Sequence, residues 1–161
     1  MILVDNALKA REKEGRPIRV ALIGAGFMSQ GLGNHIVNTM TGMRLVGVYN
    51  RKVQRAFDLC AYCGVKDVVA PSRQEEVDLA IREGKTVLTE DAFLLARSKE
   101  VDVLVDVTGS VEFGARVAFE AFKHGKDVIL LNAEIDATIG PILQVYAEKH
   151  GVIFSACDGD E

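Results

Sequence analysis

Six consecutive residues, Gly24-Ala25-Gly26-Phe27-Met28-Ser29, have the types and spacing to hold an anion. They follow the short β-rich apolar run at 18–26 and open a stretch with helical spacing. Glycine in the first slot permits a tight turn, and in the second it lets the backbone approach a pyrophosphate. A helix opening there offers free N–H groups and a partial positive charge to the phosphates. The third slot of GxGxxG governs close helix–strand packing; here it holds Ser29, a small residue and a mild departure. The same glycines could form a plain strand-to-helix turn, but the flanking strand and helix favour the cofactor. Gly24, Gly26, Phe27 and Met28 are the expected contacts.

The end of the second apolar run, 43–50, bears on which dinucleotide is held. An acidic residue there would bind both ribose hydroxyls of NAD and repel a 2′-phosphate. This chain carries Asn50-Arg51-Lys52 instead. Arginine holds a phosphate through paired N–H donors and stacks on adenine. The pattern predicts NADP, with Arg51 as the principal contact and Asn50 or Lys52 assisting. The competing explanation is a solvated helix start.

Ligands in open α/β sheets collect outside the carboxyl ends of the strands. Three further apolar runs end in Asp106-Val107-Thr108-Gly109-Ser110, Asn132-Ala133-Glu134-Ile135-Asp136 and Cys157-Asp158-Gly159-Asp160-Glu161. Thr108 and Gly109 are expected beside the nicotinamide ribose, and Asn132 and Glu134 near the nicotinamide or substrate. Turn and capping chemistry suffices for Asp136 and Ser110. No catalytic group is assigned; Glu134 and Asp158 are the carboxylates on offer. Cys60 and Cys63 have CxxC spacing but sit at the end of a helical stretch, where no dipole activates a thiol. His124 and His150 each precede a glycine at a helix end, which suits the dipole. No His, Cys and carboxylate cluster has metal-site spacing.

The elements that must position these residues alternate. Residues 3–14 have helical spacing, and Gly15 and Pro17 end that helix. Strand-like runs lie at 18–26, 43–50, 101–109, 126–132 and 152–156, with weaker ones at 65–70 and 86–88. Helical stretches fall at 27–40, 51–63, 73–84, 92–98, 111–125 and 139–151. Met28, Leu32, Ile36 and Met40 form an apolar face in the first of these, and Pro141 suits the first turn of the last. Such alternation predicts an α/β fold, a doubly wound parallel sheet of the Rossmann type, with about six strands in the order 3-2-1-4-5-6 and helices on both faces. Residues 1–16 are an N-terminal helix and lead-in, and 17–161 are the dinucleotide-binding domain.

Bulk properties exclude other classes. The chain has 161 residues, of which 48% are apolar, enough for one domain with a real core. Net charge is -4 with interspersed signs, which argues against a nucleic-acid binder. No apolar run reaches the roughly 18 residues of a membrane span. The charged N-terminus and three cysteines read as cytoplasmic. The composition leaves room for a homo-oligomer.

The chain resembles the homoserine dehydrogenase-like oxidoreductases over essentially its whole length. The resemblance rests on REKEGRPIRVALIGAG, GKTVLTED, VDVLVDVTG, GKDVILLNAEIDATIGP and GVIFSACDGDE. It is closest to the branch of 1-deoxy-D-xylulose 5-phosphate reductoisomerase-like enzymes, some with a SAF domain. Homoserine dehydrogenases proper carry Asn-Lys after the strand that corresponds to 126–132, whereas this chain reads Asn132-Ala133-Glu134. The family's GDE segment precedes a substrate-binding domain, so this chain resembles an N-terminal fragment of a longer enzyme. The resemblance implies NADP-dependent hydride transfer between nicotinamide and a small polar carbonyl or hydroxy substrate. It also implies that these residues alone bind cofactor but turn over nothing. The alternative is a non-catalytic module that senses dinucleotides.

Overall fold

A computed structural model describes residues 2–157 of the chain. Helix α1 (Ile2–Lys13) leads into β1 (Ile18–Ile23), α2 (Phe27–Asn38), β2 (Met43–Tyr49) and α3 (Val53–Cys63). β3 (Val68–Val69), α4 (Gln74–Arg82), β4 (Thr86–Thr89) and α5 (Ala92–Arg97) follow. The second half is β5 (Val103–Asp106), α6 (Val111–Lys123), β6 (Asp127–Leu130), α7 (Ala133–His150) and β7 (Phe154–Ala156).

The described strands form one parallel sheet ordered β3-β4-β2-β1-β5-β6-β7. That is the predicted doubly wound sheet with one more strand than expected. The short strand at 86–89, not the one at 65–70, takes the third place beside β2. The 65–70 run contributes only two residues, Val68 and Val69, at the outer edge.

Alternation along β1 shows why both faces need helices. Ala21 and Ile23 face a core made with α4, α5, α6 and α7, through residues such as Ile81, Leu95, Phe122 and Leu143. Val20 and Leu22 face a second core made with α2 and α3, through Ile36, Leu59 and Cys60. A strand buried on both faces reads as a continuous apolar run, as β1 does.

Two local expectations need correction. The buried face of α2 is Ser29, Gly33 and Ile36, whereas Met28 is 60% exposed and Leu32 and Met40 are half-buried. Small residues win this face because α2 lies close to its neighbours. A Cβ on Gly33 would stand 3.2 Å from Cys63 Sγ and 3.3 Å from Leu59 Cδ2. Ser29 thus fills the packing slot of the glycine pattern, fully buried, its hydroxyl without a partner among the described residues.

Helix α7 begins at Ala133, not 139, so Pro141 lies inside it and not in its first turn. The early start is set by Asn132, whose side chain caps the helix by accepting from Ile135 N at 3.3 Å. Pro141 has no N–H to offer the carbonyl of Ala137, four residues back.

Candidate cofactor site

The sheet reverses winding at β1, which lies between β2 and β5. Ligands of such folds bind in the crevice outside the strand ends at that switch point. Register brings three strand ends together there: Ile23 is level with Tyr49 of β2 and with Asp106 of β5. Gly24 N donates to Tyr49 O at 2.9 Å, and Val107 N donates to Ile23 O at 2.9 Å. The glycine turn is therefore anchored on both sides.

A cleft of about 530 Å³ opens over this junction. Its floor is Gly24, Ala25 and Gly26; Asn50, Arg51 and Arg55 form one wall, and Thr108, Gly109 and Phe113 the other. Gly24 has φ +122°, a conformation that favours glycine. Gly26 caps α2 without any side-chain hydrogen bond, and a Cβ there would meet nothing within 4 Å. The first-turn N–H groups of a helix have no intrahelical acceptors. Open space over uncapped donors suits a pyrophosphate, so these residues fit the cofactor the sequence predicts.

Arg51 and Arg55 are both exposed, and no described carboxylate forms an ion pair with either. Among the described residues no aspartate or glutamate lines the cleft. Asn50 makes a turn of its own chain: its Oδ1 accepts from Lys52 N at 3.0 Å. Lys52 is exposed at the start of α3 and is not among the residues lining the cleft. Tyr49 stacks on Phe113 with ring centroids 5.2 Å apart, backing the cleft with a rigid aromatic pair. Burial raises the Tyr49 phenol above its ordinary pKa, so it stays protonated.

None of the remaining predicted residues that are described lines this cleft. Phe27, 86% exposed, lines an adjoining depression with Gly26, Gln30 and Arg55. Met28 lies farther along α2, beside Tyr62 and Leu131. Asn132 is buried and does not line the cleft; its Nδ2 donates to the Thr108 carbonyl while its Oδ1 caps α7. It supports the wall that Thr108 forms. Glu134 is exposed in the first turn of α7. Asp158 lies outside the described residues.

Sequence reasoning missed Arg55, Phe113 and Tyr49. Arg55 had a signal: it stands four residues after Arg51, one turn on in the helical stretch read at 51–63, although the structure starts α3 only at Val53. Phe113 had none, because its approach to Tyr49 depends on how α6 packs on the sheet. Asp106, at the end of β5, is 3% exposed; its Oδ1 accepts from Thr108 N at 2.7 Å and its Oδ2 has no partner among the described residues. Burial pushes its carboxyl pKa up, partly offset by the bonds from Thr108. The paired cysteines are inert: Cys60 is buried, and desolvation followed by the charge of Cys63 pushes its thiol up to about 12.

Residues 22–155 match the family model of the NAD binding domain of homoserine dehydrogenase. The chain belongs to this family. The homoserine dehydrogenase of Bacillus subtilis is 30% identical over 139 residues, which cover 84% of this chain and 28% of that protein. The chain spans less than a third of the length of the curated relatives it matches. A solved homoserine dehydrogenase from Thiobacillus denitrificans superposes with TM-score 0.63 at 22% identity, covering 87% of this chain and 29% of that one. Biliverdin reductase from Synechocystis, solved with biliverdin and NADP+, gives TM-score 0.61 at 19% identity, covering 87% and 37%. These likenesses show a shared fold. Among the described residues no helix is long and apolar enough to cross a membrane.

Proposed function

We propose that this NAD-binding domain prefers NADP and serves an oxidoreductase that passes hydride between nicotinamide and a small polar carbonyl or hydroxy substrate. One observation carries the preference: among the described residues two guanidinium groups without an ion pair, Arg51 and Arg55, and no carboxylate line the cleft over the glycine turn. A 2′-phosphate there gains charge-assisted hydrogen bonds, and no acid repels it.

Within this reading the chain's own residues bind and orient. Gly24 and Gly26 bring backbone N–H groups to the pyrophosphate. Arg51 and Arg55 clamp the 2′-phosphate, while Thr108 and Gly109 border the nicotinamide half. The cofactor itself supplies the hydride chemistry when bound. Asn132 keeps the Thr108 wall in place, and Glu134 is the exposed carboxylate nearest in sequence to that support.

The test is a calorimetric titration of the intact protein with NADP and with NAD. NADP should bind about tenfold tighter or better, as expected for charged hydrogen bonds to one added phosphate. Arg51→Ala should erase the difference by weakening NADP alone. Equal affinities, or an indifferent Arg51→Ala variant, would sink the NADP preference.

A further inference from the structure

At the opposite end of the sheet, where β1 and β2 begin, lies a second cleft of about 500 Å³. Five arginines line it: Arg11 from α1, Arg16 from the following loop, Arg19 of β1, Arg44 of β2 and Arg82 ending α4. Two carboxylates, Glu100 and Asp102, share the lining.

The carboxylates are already engaged. Asp102 Oδ1 accepts from Arg19 Nη2 at 2.8 Å and Oδ2 from Arg19 Nε at 3.1 Å. Glu100 also pairs with Arg19 and lies 3.7 Å from Arg82 Nε. Arg16 pairs with Glu14 at 2.5 Å. No described carboxylate forms an ion pair with Arg11 or Arg44.

Arg44 is the telling residue. Its Nη2 donates to Ile81 O at 2.8 Å, but its Nε is buried without a hydrogen-bond partner among the described residues. Burial, then the like charge of Arg19, pull its guanidinium pKa below the ordinary value, against a smaller opposing pull from Glu100. A partly buried cation with like-charged neighbours and an empty donor is costly unless an anion completes it. Guanidinium forks approaching from separate elements match the oxygens of a phosphate. The cleft's volume is that of a small-molecule site.

We propose that this cleft binds a small phosphate-bearing anion between Arg11 and Arg44, at a site separate from the glycine turn. Arg19 is the scaffold: engaged by Asp102 and Glu100, it is not free to bind, which leaves Arg11 and Arg44 as the guanidinium groups without an ion pair among the described residues. The inference does not depend on cofactor preference, because the two clefts lie at opposite ends of the strands.

Inorganic pyrophosphate is the probe, titrated into the intact protein at constant ionic strength and followed by backbone amide NMR. Expected are saturable shifts at Gly15, Arg44 and Arg82, weakened about tenfold or more by Arg44→Gln and by Arg11→Gln. Arg11→Gln lies on an exposed helix and keeps the test open should Arg44→Gln disturb the fold through its bond to Ile81. The double variant Arg51→Ala/Arg55→Ala should leave these shifts unchanged. Shifts confined to residues 24–27, a linear response without saturation, or indifference to the Arg11→Gln substitution would overturn the proposal.

Discussion

The α-carbon of Gly24 packs against the carbonyl of Val107, so that a Cβ at this position would stand 3.0 Å from its oxygen and 3.2 Å from its carbon. The contact joins the end of β1 to the end of β5, at the switch point where open α/β sheets bind ligands. It also explains the first glycine twice over, since φ is +122° there. Gly24→Ala should lower stability by about 1–3 kcal/mol from backbone strain alone. A chain of this size should then melt roughly 2–4 °C lower per kcal/mol. Dinucleotide affinity should fall further than stability does, because the turn itself shifts. An unchanged melting temperature would show that the turn relaxes freely.

Arg55, in the first turn of α3, and Arg51, just before that helix, line the same cleft. If both meet one phosphate, their contributions to NADP affinity are coupled. Arg55→Ala should weaken NADP about tenfold while sparing NAD. The double variant should lose less than the sum of the single losses, by about 0.5 kcal/mol or more, as for residues sharing one partner. Strict additivity would place Arg55 on a different group of the cofactor.

How much of this was legible without coordinates differs from residue to residue. The glycine turn could be read because its chemistry is local: a strand, a positive φ and a helix start are all contiguous. The parallel sheet could be read because buried strands and intervening helices alternate plainly. The start of α7 could not be placed from its apolar pattern, which begins at Ile139; its signal was the capping residue Asn132, which looked like a ligand contact. One side chain serves as cap and as tether to Thr108, and only the tertiary structure separates those roles from direct binding. The weak strand at 86–89 gained its place from pairing with β2, a long-range contact that four residues do not announce. The arginine cleft is the extreme case, assembled from residues scattered between 11 and 102 with no shared motif.

Asp106 links stability to pH. Burial raises its carboxyl pKa in the folded protein, so over the window between its unfolded and folded values the folded state binds more protons. Stability contributed by this group is therefore full below the ordinary carboxylate value. It is lost as pH rises through the folded value, then stays level. Asp106→Asn keeps an acceptor for Thr108 N but cannot ionise. The variant should gain on the wild type as pH rises through that window and keep its gain at neutral pH. Denaturant unfolding across a pH series measures this; a stability difference that is flat with pH would remove Asp106 as its source.

Ser29 offers a test of the packing slot itself. Its side chain is fully buried in α2, and its hydroxyl has no partner among the described residues. An unpartnered buried hydroxyl costs roughly 1–3 kcal/mol in desolvation. Ser29→Ala removes the hydroxyl, keeps the Cβ and installs the best helix former, so it should stabilise by about 1 kcal/mol or more. Ser29→Gly would complete the GxGxxG pattern and remove the same hydroxyl, yet glycine costs about 1 kcal/mol relative to alanine inside a helix. The glycine variant should therefore melt below the alanine variant and near the wild type, even though it matches the motif better. Thermal melts of the three proteins decide it. Should alanine destabilise, the Ser29 hydroxyl must have a partner, and the slot would be polar by design and not merely small.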